Sequence, residues 1–526
     1  MIIGGLDDQI NMIVWSLVSK PFFTFANDIF KYSETLDVTF FAYLRPLDSN
    51  EPLTWLFISL LASLLGHWFN NVLVLLTLLL NLYFSYSFFK KFKYGLVFSL
   101  IFTFSSYFWL HIGKHPDLSI VLLLPVVAQK LDGNFTYSYK NAFLIAVYAF
   151  LLSLMSNYLG FFLVLFIILF ILSELLLKIQ SVKIAIKFCM IFLTTYLVLV
   201  ATALMPYIKI NYFNASPEGY IYPISRSYDD LVSFSSRPWY HLIPSPKNPI
   251  YNEFSQGLIS RFEDTGYFLA DDYFQGESDS MFFGYFFLTA YFVIVIINLL
   301  KKVKPEGRKY LIIHRKYLLL AFLLFLFTLP PYFTVFGQTM VTPSYLMFKI
   351  VPLFRVTARL SVFILLALLL SFIYGLIVLV PKDSRAFKLF MIVFLAITLV
   401  ESYVPVKIYR NVGTPYVYKY LGQISTFDKF IVYPYASAKE ALYFLPEHRK
   451  NLLNIRGFRN EVYESQSLTE TLVTASGMSK IRELGVRYLL VFKNVPKEDL
   501  TYFSTNRFLE LEKEFDDSYL YVLNKL

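Results

Sequence analysis

Residues 351–380 read VPLFRVTARLSVFILLALLLSFIYGLIVLV. From 358 to 380 the run is apolar and long enough, at about 1.5 Å per residue, to cross a hydrocarbon core of roughly 30 Å. Just ahead of it, Arg355 and Arg359 stand four residues apart, a spacing that puts both on one face of a helix. Guanidinium groups there match phosphate oxygens two at a time. The plainer alternative is that both arginines snorkel to lipid headgroups.

Working outward, comparable runs lie at 68–89, 95–110, 117–131, 141–156, 158–178, 184–205, 281–300, 316–331 and 386–404, which makes about ten spans. Leu53 to Leu65 is apolar but too short to cross. Asn11 to Phe30, interrupted by Lys20, Pro21 and Asn27-Asp28, reads as an interfacial helix. The rest of the composition agrees with a polytopic membrane protein: 57% of residues are apolar, Phe and Tyr number 56 and 40, and mean hydropathy is +0.55. The net charge of +10 invites a nucleic-acid reading. That reading fails, because the Lys and Arg residues fall in short loops between spans. The single cysteine, Cys189, sits in an apolar run, so there is no disulfide framework and no cysteine metal cluster.

Lys90-Lys91-Phe92-Lys93, Lys178 with Lys183 and Lys187, the block Lys301 to Lys316, and Lys382 to Lys388 fall on one side if the spans alternate. The charge rule makes that side cytoplasmic. Residues 1–50, the 111–116 hairpin, the loop 206–280, the segment 332–354 and everything after 405 are then extracytoplasmic. A chain that starts outside without a preceding apolar helix suggests a further span upstream of Met1. The divisions are thus a first outer loop over 1–50, membrane helices over 51–205, an outer loop over 206–280, membrane helices over 281–404 and an outer domain over 405–526. In that last part charge rises, and apolar strands at 429–433 and 486–492 flank a helical stretch from Ser467 to Leu484. Two further strands follow, which reads as a small α/β domain.

The outer segments carry the residues with chemistry. Asp7 and Asp8 stand side by side next to an apolar wall, where a carboxylate is costly unless a cation, metal or hydroxyl compensates it. Capping of a following helix explains them equally well. Asp117 follows Pro116 at the start of another span, in the same compartment, and admits the same bland reading. Two acidic loops on one face can hold a divalent ion through oxygens, with Asp8 and Asp117 as ligands to Mg or Mn, or can share the work of a base. His111 and His115 are four apart, but Gly113 and Pro116 spoil a regular helix and no third ligand completes a zinc set. They read better as polar groups contacting a phosphate. The loop around Tyr240 to Pro249 forms a Pro- and Tyr-rich rim suited to sugars or headgroups. The spans carry almost no charge, Glu174 near a cytoplasmic end excepted, which argues against ion-coupled transport.

Asp7-Asp8, Glu51-Pro52-Leu53, His115-Pro116-Asp117, the Leu242 to Pro249 stretch and Pro352 to Arg359 together resemble the GT-C superfamily of bacterial membrane glycosyltransferases. Within it the match is to the YfhO-like group, whose outer terminal domain the stretch Leu484 to Val491 also resembles. The resemblance covers most of the chain, in short motifs. It implies a cell-membrane enzyme that moves a sugar from a polyprenyl-phosphate carrier to a glycan, lipid or protein acceptor. By the same resemblance Asp7 or Asp8 serves as base or acceptor-orienting group and Asp117 as the second acid, while Arg355 and Arg359, from their own chemistry, would hold the departing phosphate. The family's first span is absent here, and His-Pro-Asp is not its usual second motif. The alternative from another class is a non-catalytic protein that binds or translocates lipid-linked glycans.

Overall fold

The structure, a computed structural model, describes residues 2–3, 51–65, 69–112, 115–132, 135–205, 228–263, 277–300, 305–335, 337–379, 384–406, 408–409, 415–424, 428–444, 448, 450–454 and 467–524. The chain divides into two compact units, Val74–Val406 and Met1–Leu73 with Lys407–Leu526.

The larger unit is a helix bundle. Across the described chain, five helices are long and apolar enough to cross a membrane: 70–89, 157–176, 182–203, 307–328 and 357–379. They make this a multi-pass membrane protein. Shorter apolar helices occupy 95–111, 139–155 and 285–300. The helix Arg385–Ser402 is also largely apolar but carries Arg385, Lys388 and Glu401. The span expected over 117–131 is a correction: Pro116–Ser119 is a single turn, the chain opens at 120–122, and the helix resumes only at Leu123–Leu131. The opening has an identifiable partner. Asn81 donates to the Ser119 carbonyl (2.8 Å) and accepts from the Val121 amide (3.2 Å), so the backbone groups that leave the helix stay paired inside the bundle.

Serine caps set several helix starts: Ser138, Ser156 and Ser384 accept from the amides of Asn141, Leu159 and Phe387. Between Tyr139–Met155 and Asn157–Leu176 the backbones approach so closely at Gly160 that a β-carbon would lie 2.0 Å from Ser153 Oγ. The core is built on the helix Ser361–Leu379, fourteen of whose residues are buried. Phe372 stacks on Phe394 with ring centroids 5.2 Å apart.

At one end of the bundle, buried acids take cations and phenols from neighbouring helices. Asp132 accepts from Lys91 (2.6 Å), Tyr317 (2.9 Å) and Tyr374 (2.7 Å). Glu174 accepts from Lys316 (3.0 Å) and Tyr137 (2.5 Å). Burying these acids is tolerated because each is paired.

In the smaller unit, five strands run in the order Asn451–Leu452, Lys429–Tyr433, Val486–Phe492, Ser518–Leu523, Leu509–Glu514. The first three are parallel, and the fourth is antiparallel to both of its neighbours. The central strand is buried at all but one position, as expected where both faces are covered. The helical stretch expected from Ser467 to Leu484 is helical over 467–470, a 3-10 turn at Thr471–Val473 and a helix Ala475–Glu483 capped by Thr474. The helix Pro52–Leu65 also belongs to this unit, and Ile2–Ile3 pair with Ile408–Tyr409.

Candidate functional site

At the end of the bundle opposite Asp132 and Glu174, three segments converge. They are the short helix Ser106–His111, the turn Glu277–Ser280, and the chain from Val351 into the helix at Ser361. Ser106 Oγ helps tie the first two, lying 2.9 Å from the Phe282 carbonyl and 3.2 Å from that of Ser402.

The convergence produces a charged row. Glu277 Oε2 lies 2.8 Å from His111 Nε2, and Glu277 Oε1 accepts from Arg359 Nε (2.8 Å) and Nη2 (2.7 Å). His111 Nδ1 stands 2.7 Å from the Tyr107 carbonyl. Both ring nitrogens therefore face oxygens of neighbouring groups. The Tyr107 ring stacks on that of His111 with centroids 4.2 Å apart, and Tyr158 lies under the Arg359 guanidinium at 4.4 Å. Burial pushes the Glu277 carboxyl up, but Arg359 and then His111 outweigh it and hold it well below the usual carboxylate range. The row sets a guanidinium and an imidazole around one carboxylate.

Sequence-predicted residues fall around this row unevenly. His111 and Arg359 are in it. Asp117 is half-buried nearby, close enough for its charge to act on His115 and Arg359, and no hydrogen bond or ion pair ties it to another described side chain. His115 is exposed, its ring 6.3 Å from that of His111. Arg355 stacks on Phe234 at 5.1 Å. Arg355 and Arg359 do not share a helical face, which corrects the expectation from their spacing. The chain is irregular from 351 to 356 and 3-10 from Thr357 to Leu360. Its path is pulled off helix by Thr357 Oγ1 donating to the Thr328 carbonyl (3.0 Å) and the Ala358 amide reaching the Phe234 carbonyl (3.4 Å). Asp7 and Asp8 lie outside the described residues.

The sequence reading missed Glu277, which centres the row. It is one of many acids between 206 and 280, and nothing in its neighbours marks it out. Among the described residues no group of three or more His, Cys, Asp or Glu is placed to hold a metal. Glu277 has both oxygens committed, and Asp117 is the one sequence-predicted metal ligand among the described residues, Asp8 lying outside them.

A second buried set braces the rim. Asn248 Nδ2 points at the carbonyls of Val400, Glu401 and Tyr403 at 2.9–3.0 Å, closing the end of the helix Arg385–Ser402. Glu401 in turn accepts from Tyr251 (2.9 Å) and from the Phe286 amide (3.0 Å). Gly284, at φ +93°, passes so near that a β-carbon would sit 2.9 Å from Glu401 Oε2. His241 lies 3.1 Å from the Met281 carbonyl, and burial lowers its ring to about 4 despite that bond.

The fold and the row thus define a multi-pass membrane protein with a buried Glu277–Arg359–His111 cluster at one end of its bundle. No family model and no curated protein matches the chain. Among solved structures, it aligns over its full length with the mycobacterial arabinofuranosyltransferase AftD at 12% identity and a TM-score of 0.49, covering 40% of that protein. It aligns over 99% of its length with ArnT from Cupriavidus metallidurans bound to undecaprenyl phosphate, covering 94% of ArnT at 9% identity and a TM-score of 0.40. The chain therefore spans less than half the length of AftD.

Proposed function

We propose that this protein is a GT-C-type glycosyltransferase that takes a sugar from a polyprenyl-phosphate carrier at the extracytoplasmic face and passes it to a glycan, lipid or protein acceptor. The observation that carries this reading is Asp117, a half-buried carboxylate that no hydrogen bond or ion pair ties to another described side chain, close to the Arg359 guanidinium that Glu277 holds in place. A base must be available to accept a hydroxyl proton, and a departing phosphate needs positive charge already in position.

In this scheme the acceptor hydroxyl loses its proton to a carboxylate as its oxygen attacks the anomeric carbon. The bond from that carbon to the phosphate oxygen breaks, and the phosphate leaves with the electron pair. Asp8 or Asp7 would be the base and Asp117 would support it. Arg355, together with the side of Arg359 turned away from Glu277, would meet the phosphate. Preorganised charge of this kind favours the transition state over the ground state. His111, with both nitrogens engaged, positions Glu277 instead of touching phosphate, while exposed His115 is free to approach it. The isoprenoid chain would run among the Phe- and Leu-rich spans.

Membranes containing the protein, offered a panel of polyprenyl-phosphate sugars and acceptors, test this. Release of polyprenyl phosphate that falls at least about a hundredfold in Asp117→Asn and Arg355→Ala is expected. Retention of labelled lipid-linked sugar without turnover, unchanged in Asp117→Asn, would establish a binding or translocating protein instead.

A further inference from the structure

The segment between the helices Pro305–Thr328 and Ser361–Leu379 is too short and too irregular to cross a membrane. Its strands Tyr332–Val335 and Gln338–Val341 form an antiparallel hairpin, and a helix follows at Pro343–Ile350. Its amphipathy is inverted relative to a surface helix in water. The polar groups face inward: Thr342 Oγ1 donates to the Pro330 carbonyl (2.7 Å), Ser344 Oγ to that of Leu329 (2.6 Å), and the Thr342 amide to that of Pro331 (3.0 Å). Thr342 and Ser344 are buried.

Several apolar groups face outward, although Met347 is buried in the core. Leu346 is 59% exposed and Ile350 80%, four apart on one face of the helix, and Leu353, just beyond it, is 41% exposed. Met340 and Val341 at the end of the hairpin are 56% and 55% exposed. Lys349 lies along the same face, its ammonium 4.7 Å from the Tyr345 ring. An outward apolar stripe with one lysine at its margin is the pattern of a helix lying in a membrane interface, with the lysine reaching the headgroups. The segment is also continuous at both ends with lipid-crossing helices, and the same chain carries Arg355 and Arg359 four and eight residues beyond Val351.

We infer that the hairpin 332–341 and the helix Pro343–Ile350 lie in the bilayer interface at the site end of the bundle, with Leu346 and Ile350 inserted among lipid acyl chains. The partner is the lipid surface, and the inference holds whether or not the protein transfers sugar. It places the approach to the arginines at the depth of lipid headgroups.

The test uses the full chain with Cys189→Ser, reconstituted in vesicles of phosphatidylethanolamine and phosphatidylglycerol. Nitroxide labels are placed singly at Leu346→Cys and Ile350→Cys, at Phe322→Cys as the in-membrane reference, and at Gln256→Cys as the water reference. Collision rates with oxygen, which concentrates in the bilayer, and with a water-soluble nickel chelate are compared. Labels at 346 and 350 that favour oxygen, as at 322, are expected. Labels that favour the nickel chelate, as at 256, overturn the inference. Low collision rates with both reagents overturn it too, since a protein surface then covers the stripe.

Discussion

At the scale of the residue, Glu277 is the group on which the site depends. It is buried between a guanidinium and an imidazole, and removing its charge strands both. Glu277→Gln keeps the shape and loses the anion, so we expect a stability loss of about 3 kcal/mol, read as a lowered melting temperature in detergent. An unchanged melting temperature would mean that the row does not exist as described. His241 gives a pH signature. Its folded value of about 4 lies below that of an unfolded imidazole, so its contribution is fully present above the unfolded value and is lost as pH falls from about 6.5 towards 4. Melting temperature should drop across that window, and His241→Gln should flatten the drop. The residue scale is also where the sequence was least legible. Asp117, His111 and Arg359 could be picked out because each sits beside a Pro or at the end of an apolar run. Glu277 could not, because its meaning comes from two partners 166 and 82 residues away.

At the scale of the element, apolar periodicity did most of its work. The strands at 429–433 and 486–492 and the span starting near 358 lie where alternation and apolar length place them. The failures have a common cause, which is tertiary bonds overriding local pattern. Asn81 opens the helix expected over 117–131, and Thr328 and Phe234 draw 355–358 away from a regular turn. The tie between Asn248 and the end of the helix Arg385–Ser402 is likewise invisible in sequence. Asn248→Ala leaves three carbonyls without that donor and should cost roughly 1–3 kcal/mol, checked by thermal unfolding. Gly284→Ala should be destabilising as well, through both its positive φ and its encroachment on Glu401.

At the scale of the whole bundle, the two ends differ in chemistry. Lys91 and Lys316 are held by acids at one end, and the Glu277 row lies at the other. Taking the basic end as cytoplasmic, single cysteines at Ser384 and His115, introduced in a Cys189→Ser background, should label from opposite sides of sealed vesicles. Labelling of both from one side would reverse the reading of the loops.

The helix Pro305–Thr328 has a mechanical role that follows from its partners at mid-length and at its C-terminal end. Adjacent residues Lys316 and Tyr317 point about 100° apart and clasp two different acids, so the helix cannot turn about its axis without releasing both. At its C-terminal end the Thr328 carbonyl takes the Ser236 amide and the Thr357 hydroxyl. A rod pinned in rotation below and in position above does not swing. Its rotation would have to break both clasps at once, whereas the stretch 351–356, between the helix Pro343–Ile350 and the 3-10 turn Thr357–Leu360, belongs to no regular element.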